Sequence, residues 1–195
     1  MNIIAATKNK GKIREIEEIF GELGINVISQ DEAGITIDAE ESGNSFKENA
    51  LIKARAAAMF TNDIVMADDS GLCVEALDGR PGIFSARYGG EETSYEEKMK
   101  MLIKELEGEK NRRAKFVAYV AMVFPDGSEV TAKGEIDGII MDEPKGTNGF
   151  GYDPIFYCPE LKKGFAEATD EEKNKVSHRA RALHSLYEKV KNILE

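Results

Sequence analysis

The segment that most narrows the fold is residues 115–140, which read KFVAYVAMVF, then PDG, then SEVTAKGEIDGII. Two β-rich runs flank a Pro-Asp-Gly turn, the strongest hairpin signal in the chain. It places an antiparallel pair in a chain whose earlier part follows a different rule. Before it, short apolar runs at 2–7, 25–29 and 63–67 alternate with helical patterns. Ile13, Ile16, Phe20 and Leu23 recur at helical spacing up to Gly24, and Ser45 with Glu48 makes a capping-box pattern for a helix from about 45 to 60. Ser94 with Glu97 repeats that pattern before Leu102, Ile103 and Leu106. After the hairpin come the glycine-rich PKGTNGFGYDPIFY, a helical region opened by Thr169 with Glu172, and a last apolar stripe from Leu183 to Leu194. Alternation followed by a hairpin implies an α/β protein with a mixed sheet and flanking helices, in a single domain over 1–195.

Composition excludes several classes. The 36 acidic against 26 basic residues leave a formal charge of −10, which argues against broad nucleic-acid binding. Cys73 and Cys158 form no C-x-x-C, so a reduced cytoplasmic protein is expected. The apolar stretch near the start is far shorter than a secretory core. No segment approaches the roughly 20 apolar residues of a membrane span, so no membrane partner is expected.

The basic residues cluster beside Gly- or Ser-rich loops, at Lys8, Lys10, Lys12 and Arg14, at Arg80 and Arg87, and at Lys173, Lys175, Arg179 and Arg181. At the first strand-to-helix turn, T7-K8-N9-K10-G11-K12, backbone amides and lysines suit a phosphate. Ala6 and Ile13 stand where a Walker A loop needs Gly and Ser or Thr, so it is not a P-loop. The run IVMADDSG ends a strand expected at 63–67 in two adjacent carboxylates. Alternation along a strand points Asp68 and Asp69 to opposite faces, and a strand-end carboxylate can hold magnesium or orient a water. Glu40 and Glu41 add carboxylates before Gly43. His178 and His184 are six apart and do not share a helical face, and no G-x-S-x-G is present. Lysines holding a phosphate chain, with carboxylates holding magnesium, fit these residues best.

Together, ATKNKGK, EESGNSFKENALIKA, MADDSGLCVEALDGRPGIFSARYGG, KGTNGFGYDPIF and EEKNKVSHRARAL occur in this order and run nearly end to end. The chain resembles the inosine and xanthosine triphosphate pyrophosphatases. The resemblance implies an elongated α/β fold with two lobes around a deep cleft, as a homodimer, and hydrolysis of ITP, dITP or XTP to the nucleoside monophosphate and pyrophosphate. It implies that Thr7, Lys8, Asn9, Lys10, Gly11 and Lys12 line the triphosphate site. Asp69 would be proton acceptor and Mg²⁺ ligand, with Glu40 or Glu41 as a second ligand. Ser70 would contact substrate, and Phe150, Gly151, Tyr152 and Asp153 the nucleoside. Lys173, His178 and Arg179 would complete the pocket, and Asp68 would support it. Two other readings keep the same pocket: a non-catalytic nucleotide sensor, and a pyrophosphatase of modified pyrimidines, which the SHR string disfavours.

Overall fold

A computed structural model describes residues 2–194. The strands are β1 (Asn2–Ala5), β2 (Asn26–Ser29), β3 (Ile64–Val74), β4 (Arg113–Val123), β5 (Glu129–Ile140), β6 (Phe156–Cys158) and β7 (Lys163–Gly164). The helices are α1 (Lys10–Glu22), α2 (Phe46–Ala58), α3 (Tyr95–Glu105), α4 (Asp170–Val176) and α5 (His178–Leu194). The strands lie in the order β2-β1-β3-β4-β5-β6-β7. β1 pairs in parallel with both β2 and β3, while β6 pairs antiparallel with β5 and β7, so the sheet is mixed. The expected hairpin is β4 and β5, closed where Phe124 N–H donates to Ser128 O at 2.9 Å.

The chain divides into two compact units, the first comprising 1–69, 118–134 and 178–195 and the second 70–117 and 135–177. In the first unit the sheet is apolar on both faces, which follows from parallel strands covered by helices. Ile3, Ala5, Ile64 and Met66 share a core with Ile16, Ile19 and Phe20 of α1 and Leu183, Leu186 and Val190 of α5. Ile4, Ala6, Val65 and Ala67 share another with Ala50, Ala54 and Ala57 of α2. Odd and even residues of β1 and β3 thus enter different cores. In the second unit one core joins Leu72 and Val74 to Leu102, Phe116, Ile136, Phe156 and Phe165.

Helix starts follow the expected chemistry. Ser45 accepts from Glu48 N–H at 3.2 Å, and reciprocal capping boxes open α3 at Ser94 and α4 at Thr169. β3 departs from expectation by running through Asp68 and Asp69 to Val74. Beyond Met66, where its pairing with β1 ends, the loop after it returns alongside. Val74 N–H donates to Arg80 O at 3.1 Å, Cys73 bridges to Pro81, and Leu72 N–H donates to Ser85 Oγ at 2.9 Å. A loop with backbone acceptors extends a strand as well as another strand does. No helix among the described residues is long and apolar enough to cross a membrane.

Candidate active site

Alternation along β3 decides what each aspartate meets. Ile64 and Met66 face α1 and α5, so Asp68 does too, whereas Val65 and Ala67 face α2, so Asp69 does. Both carboxylates are buried, at 1% and 5% exposure, so each needs partners.

Asp68 finds them on α1 and α5. Its Oδ2 lies 3.2 Å from Lys12 Nζ and accepts from Arg179 Nε at 3.1 Å. Arg179 Nη1 donates in turn to Glu15, which is itself buried. Burial alone would raise Asp68, but Lys12, Arg179 and Lys53 outweigh it and hold the carboxyl well below the usual carboxylate range. Burial likewise opposes the charge of Arg179, and Asp68 with Glu15 overcomes it. Burial, aided by Lys53 and Arg179, lowers Lys12 against the pull of Asp68 and Asp69.

Asp69 meets α2 instead. Asn49, fully buried, donates from Nδ2 to Asp69 Oδ2 at 3.1 Å. The Lys53 ammonium sits 3.7 Å from Asp69 Oδ1 and 2.6 Å from Glu41 Oε1. Burial raises the Asp69 carboxyl and Glu41 adds to the rise, while Lys53 and Lys12 oppose it. For Lys53 the sign reverses: burial disfavours its charge, but Asp69, Asp68 and Glu41 together raise it. A single cation therefore bridges the two carboxylates. Glu41 is half-buried there and Glu40 is exposed. The acidic loop reaches α2 because residue 43 is glycine. Its N–H donates to Asn49 Oδ1 at 2.8 Å, and a Cβ there would lie 2.7 Å from that same oxygen. Glu41 and Asp69 are the hard oxygen donors that could hold a divalent cation, with Lys53 marking a place between them that already takes positive charge. Among the described residues no three acidic, His or Cys side chains converge, and magnesium needs only one or two carboxylates when phosphates and water supply the rest.

The first turn is less open to an anion than its sequence suggests. Asn9 Oδ1 accepts from Gly11 N–H at 3.0 Å and Lys12 N–H at 3.1 Å, and Asn9 N–H donates to Thr7 Oγ1 at 3.2 Å. Those two helix amides are capped within the chain. Lys8 pairs with Asp38 on the surface at 2.9 Å, and Lys10 is exposed. Of the three lysines, only Lys12 turns inward.

The second unit carries the other residues. Ser70 follows Asp69 in β3. Asp153 Oδ2 accepts from Phe150 N–H at 2.9 Å and from Lys173 Nζ at 2.6 Å, the acid and the base both being almost fully buried. The Lys173 ammonium lies 4.7 Å from the Phe150 ring centroid. Gly149, at φ +72°, allows the turn, since a Cβ there would fall 2.2 Å from Asp153 Oδ2. Lys173, expected to complete the substrate pocket, pairs with Asp153 and braces the turn that presents Phe150. Tyr152, expected to contact the nucleoside, is only 3% exposed, and its ring packs edge-on to Tyr95 at 5.4 Å. Gly151, at φ +65°, separates the two aromatics. His178, back in the first unit, stands in the first turn of α5. That turn packs on β5 at Gly134, where a Cβ would lie 2.1 Å from His178 O.

Sequence reasoning missed Asn49, Lys53 and Glu15. A signal existed for each. Lys12 and Glu15 fall on the stripe of α1 that also holds Ile16 and Ile19, and Asn49 and Lys53 are four apart beside the buried alanines of α2.

Residues 3–189 match the model of the Ham1 family. The dITP/XTP pyrophosphatase of Halalkalibacterium halodurans is 50% identical over 185 residues, 94% of this chain and 95% of that one. That of Thermoanaerobacter pseudethanolicus is 47% identical, covering 100% and 99%. The Ham1 protein structure from Staphylococcus aureus superposes with a TM-score of 0.87 at 43% identity, covering 99% and 100%. The one from Coxiella burnetii does so with 0.88 at 39%, covering 98% and 99%. The chain belongs to the Ham1 family.

Proposed function

We propose that this chain is a nucleoside triphosphate pyrophosphohydrolase that converts dITP, XTP and ITP to the nucleoside monophosphate and pyrophosphate. One observation carries the reading: a buried carboxylate of raised pKa, Asp69, shares the ammonium of Lys53 with Glu41, and a second inward lysine, Lys12, acts on it as well. Similarity to relatives named dITP/XTP pyrophosphatase supports the substrate class.

Glu41 and Asp69 would hold Mg²⁺, which when bound neutralises phosphate oxygens. Asp69, held by Asn49, accepts a proton from the attacking water. The water oxygen bonds to the α phosphorus, the bond from that phosphorus to the bridging oxygen breaks, and pyrophosphate leaves with the bonding pair. Lys12 and Lys53 stabilise the charge that develops on it. Phe150 offers a ring for stacking on the purine. His178 donates to the 6-keto oxygen of the base. Arg179, with Nε and Nη1 already given to Asp68 and Glu15, holds the helix turn on which His178 stands. The 6-amino group of adenine would set donor against donor. The working form is a cytoplasmic homodimer.

The test is purified protein with Mg²⁺ and dITP, XTP, ITP or ATP, followed by pyrophosphate detection. Release from the first three at kcat/KM at least about 10² above ATP is expected. Binding without release would mark a nucleotide sensor, and ATP within about tenfold of ITP would remove the 6-keto selectivity.

A further inference from the structure

Ser85 is a buried hydroxyl in the loop that follows β3, 6% exposed, with contacts to two separate parts of the second unit. Its Oγ accepts from Leu72 N–H at 2.9 Å and donates to Gly82 O at 2.6 Å. Its carbonyl accepts from Tyr152 Oη at 2.8 Å. The next carbonyl, of Ala86, accepts from the buried Lys98 Nζ at 2.6 Å. A buried lysine and a buried tyrosine thus grip adjacent carbonyls of one short turn. Burial chiefly raises the Tyr152 phenol, with Tyr95 and Tyr88 adding to it, so the donor keeps its proton.

The two ends of this chain of bonds matter. Leu72 lies three residues beyond Asp69 in the same strand, β3. Tyr152 belongs to the turn that carries Phe150, two residues earlier. Phe150 itself is held separately, through Asp153 and Lys173. We propose that Ser85 and Tyr152 are positioning residues: they link the base-contacting turn to β3 and so set the alignment of Asp69 during turnover, leaving the contact to the base unchanged. The inference rests on the pyrophosphohydrolase reading above.

The experiment measures kcat and KM with ITP for the wild type, Tyr152→Phe, Ser85→Ala, the double variant and Tyr95→Phe, with thermal midpoints alongside. Tyr152→Phe loses one neutral hydrogen bond, and Ser85→Ala loses two, of which the one from Leu72 N–H belongs to the link. In each, kcat is expected to fall about fivefold with KM within about twofold. Because the bonds act in series, the double variant should fall no further than the lower single variant. Tyr95→Phe keeps the ring that packs on Tyr152 and should turn over as the wild type does. Unchanged kcat in Tyr152→Phe, a rise in KM in place of the fall in kcat, losses that multiply to about 25-fold in the double variant, or an equal loss in Tyr95→Phe would each overturn the inference. If Ser85→Ala does not fold, Tyr152→Phe, which deletes one oxygen, carries the test alone. Failure of the wild type to release pyrophosphate would instead overturn the functional reading.

Discussion

Asp68 and Asp69 are the same residue type, adjacent on one strand and both buried, yet their environments drive them in opposite directions. On the face covered by α1 and α5, two cations reach Asp68 Oδ2 at 3.2 and 3.1 Å and hold it ionised. On the face covered by α2, Asp69 has an amide at 3.1 Å and a lysine no nearer than 3.7 Å, shared with Glu41. Burial then wins and the carboxyl rises. One face binds its charge into the fold, and the other keeps a carboxylate ready to take a proton. The difference teaches that role follows the covering helix.

Stability should separate the two most sharply. Asp68→Asn leaves Lys12 and Arg179 facing each other in the interior, and breaking a buried pair of this kind costs about 3–5 kcal/mol. Its lowered pKa means that the stability it supplies is complete above the ordinary carboxylate range, near pH ~4, and is lost as pH falls toward the folded value. The gap between wild type and Asp68→Asn in urea melts should therefore close below that pH. For Asp69 the sign reverses. A raised pKa makes the ionised form a burden that grows as pH rises, so Asp69→Asn in metal-free protein should be as stable as the wild type or more so at pH 7. Equal losses in the two variants would end the comparison.

Turnover should divide them the other way. Asp69→Asn is expected to lower kcat on the order of 10² or more with the fold intact, and excess EDTA to act alike. Near-normal turnover in either case would remove Asp69 from the chemistry. Next in size is Lys53→Met, with a loss of about 1.5–3 kcal/mol in kcat/KM. Lys53 opposes the rise of Asp69, so removing it should also move the acid limb of the pH profile to higher pH. An acid limb that stays in place would show that the lysine does not act on Asp69. Lys12→Ala and Lys8→Ala sharpen the contrast at the low end. The inward Lys12 should cost about 1.5–3 kcal/mol in kcat/KM, while the exposed Lys8–Asp38 pair should shift stability by less than about 1 kcal/mol and leave kinetics alone. Equal kinetic losses from the two lysines would return the whole turn to the phosphate site.

Much of the frame is legible in the sequence because it depends on neighbours in the chain. The Pro-Asp-Gly turn, the capping residues Ser45, Ser94 and Thr169, and the apolar stripes of α1 and α5 are local, and each element forms where its residues call for it. The candidate site was legible in part. Asp69, Lys12 and the acidic loop carry signals in the sequence, whereas Lys53 and Asn49 read as ordinary helix polarity. Nothing in the sequence around Tyr152 signals that its hydroxyl donates to Ser85 O. A side chain's partners across 67 residues of chain leave no periodic mark.

The sequence by itself determined that Asp68 and Asp69 part company, since strand geometry turns consecutive side chains to opposite faces. It also determined that residue 43 tolerates close approach, because glycine has no Cβ. Only the tertiary structure decided which helix covers which face, and with that which carboxylate is ionised and which is raised. Partners such as Arg179, 111 residues from Asp68, are brought in by packing. In a buried site the electrostatic outcome depends on distances of a few ångströms between groups that the chain order leaves far apart.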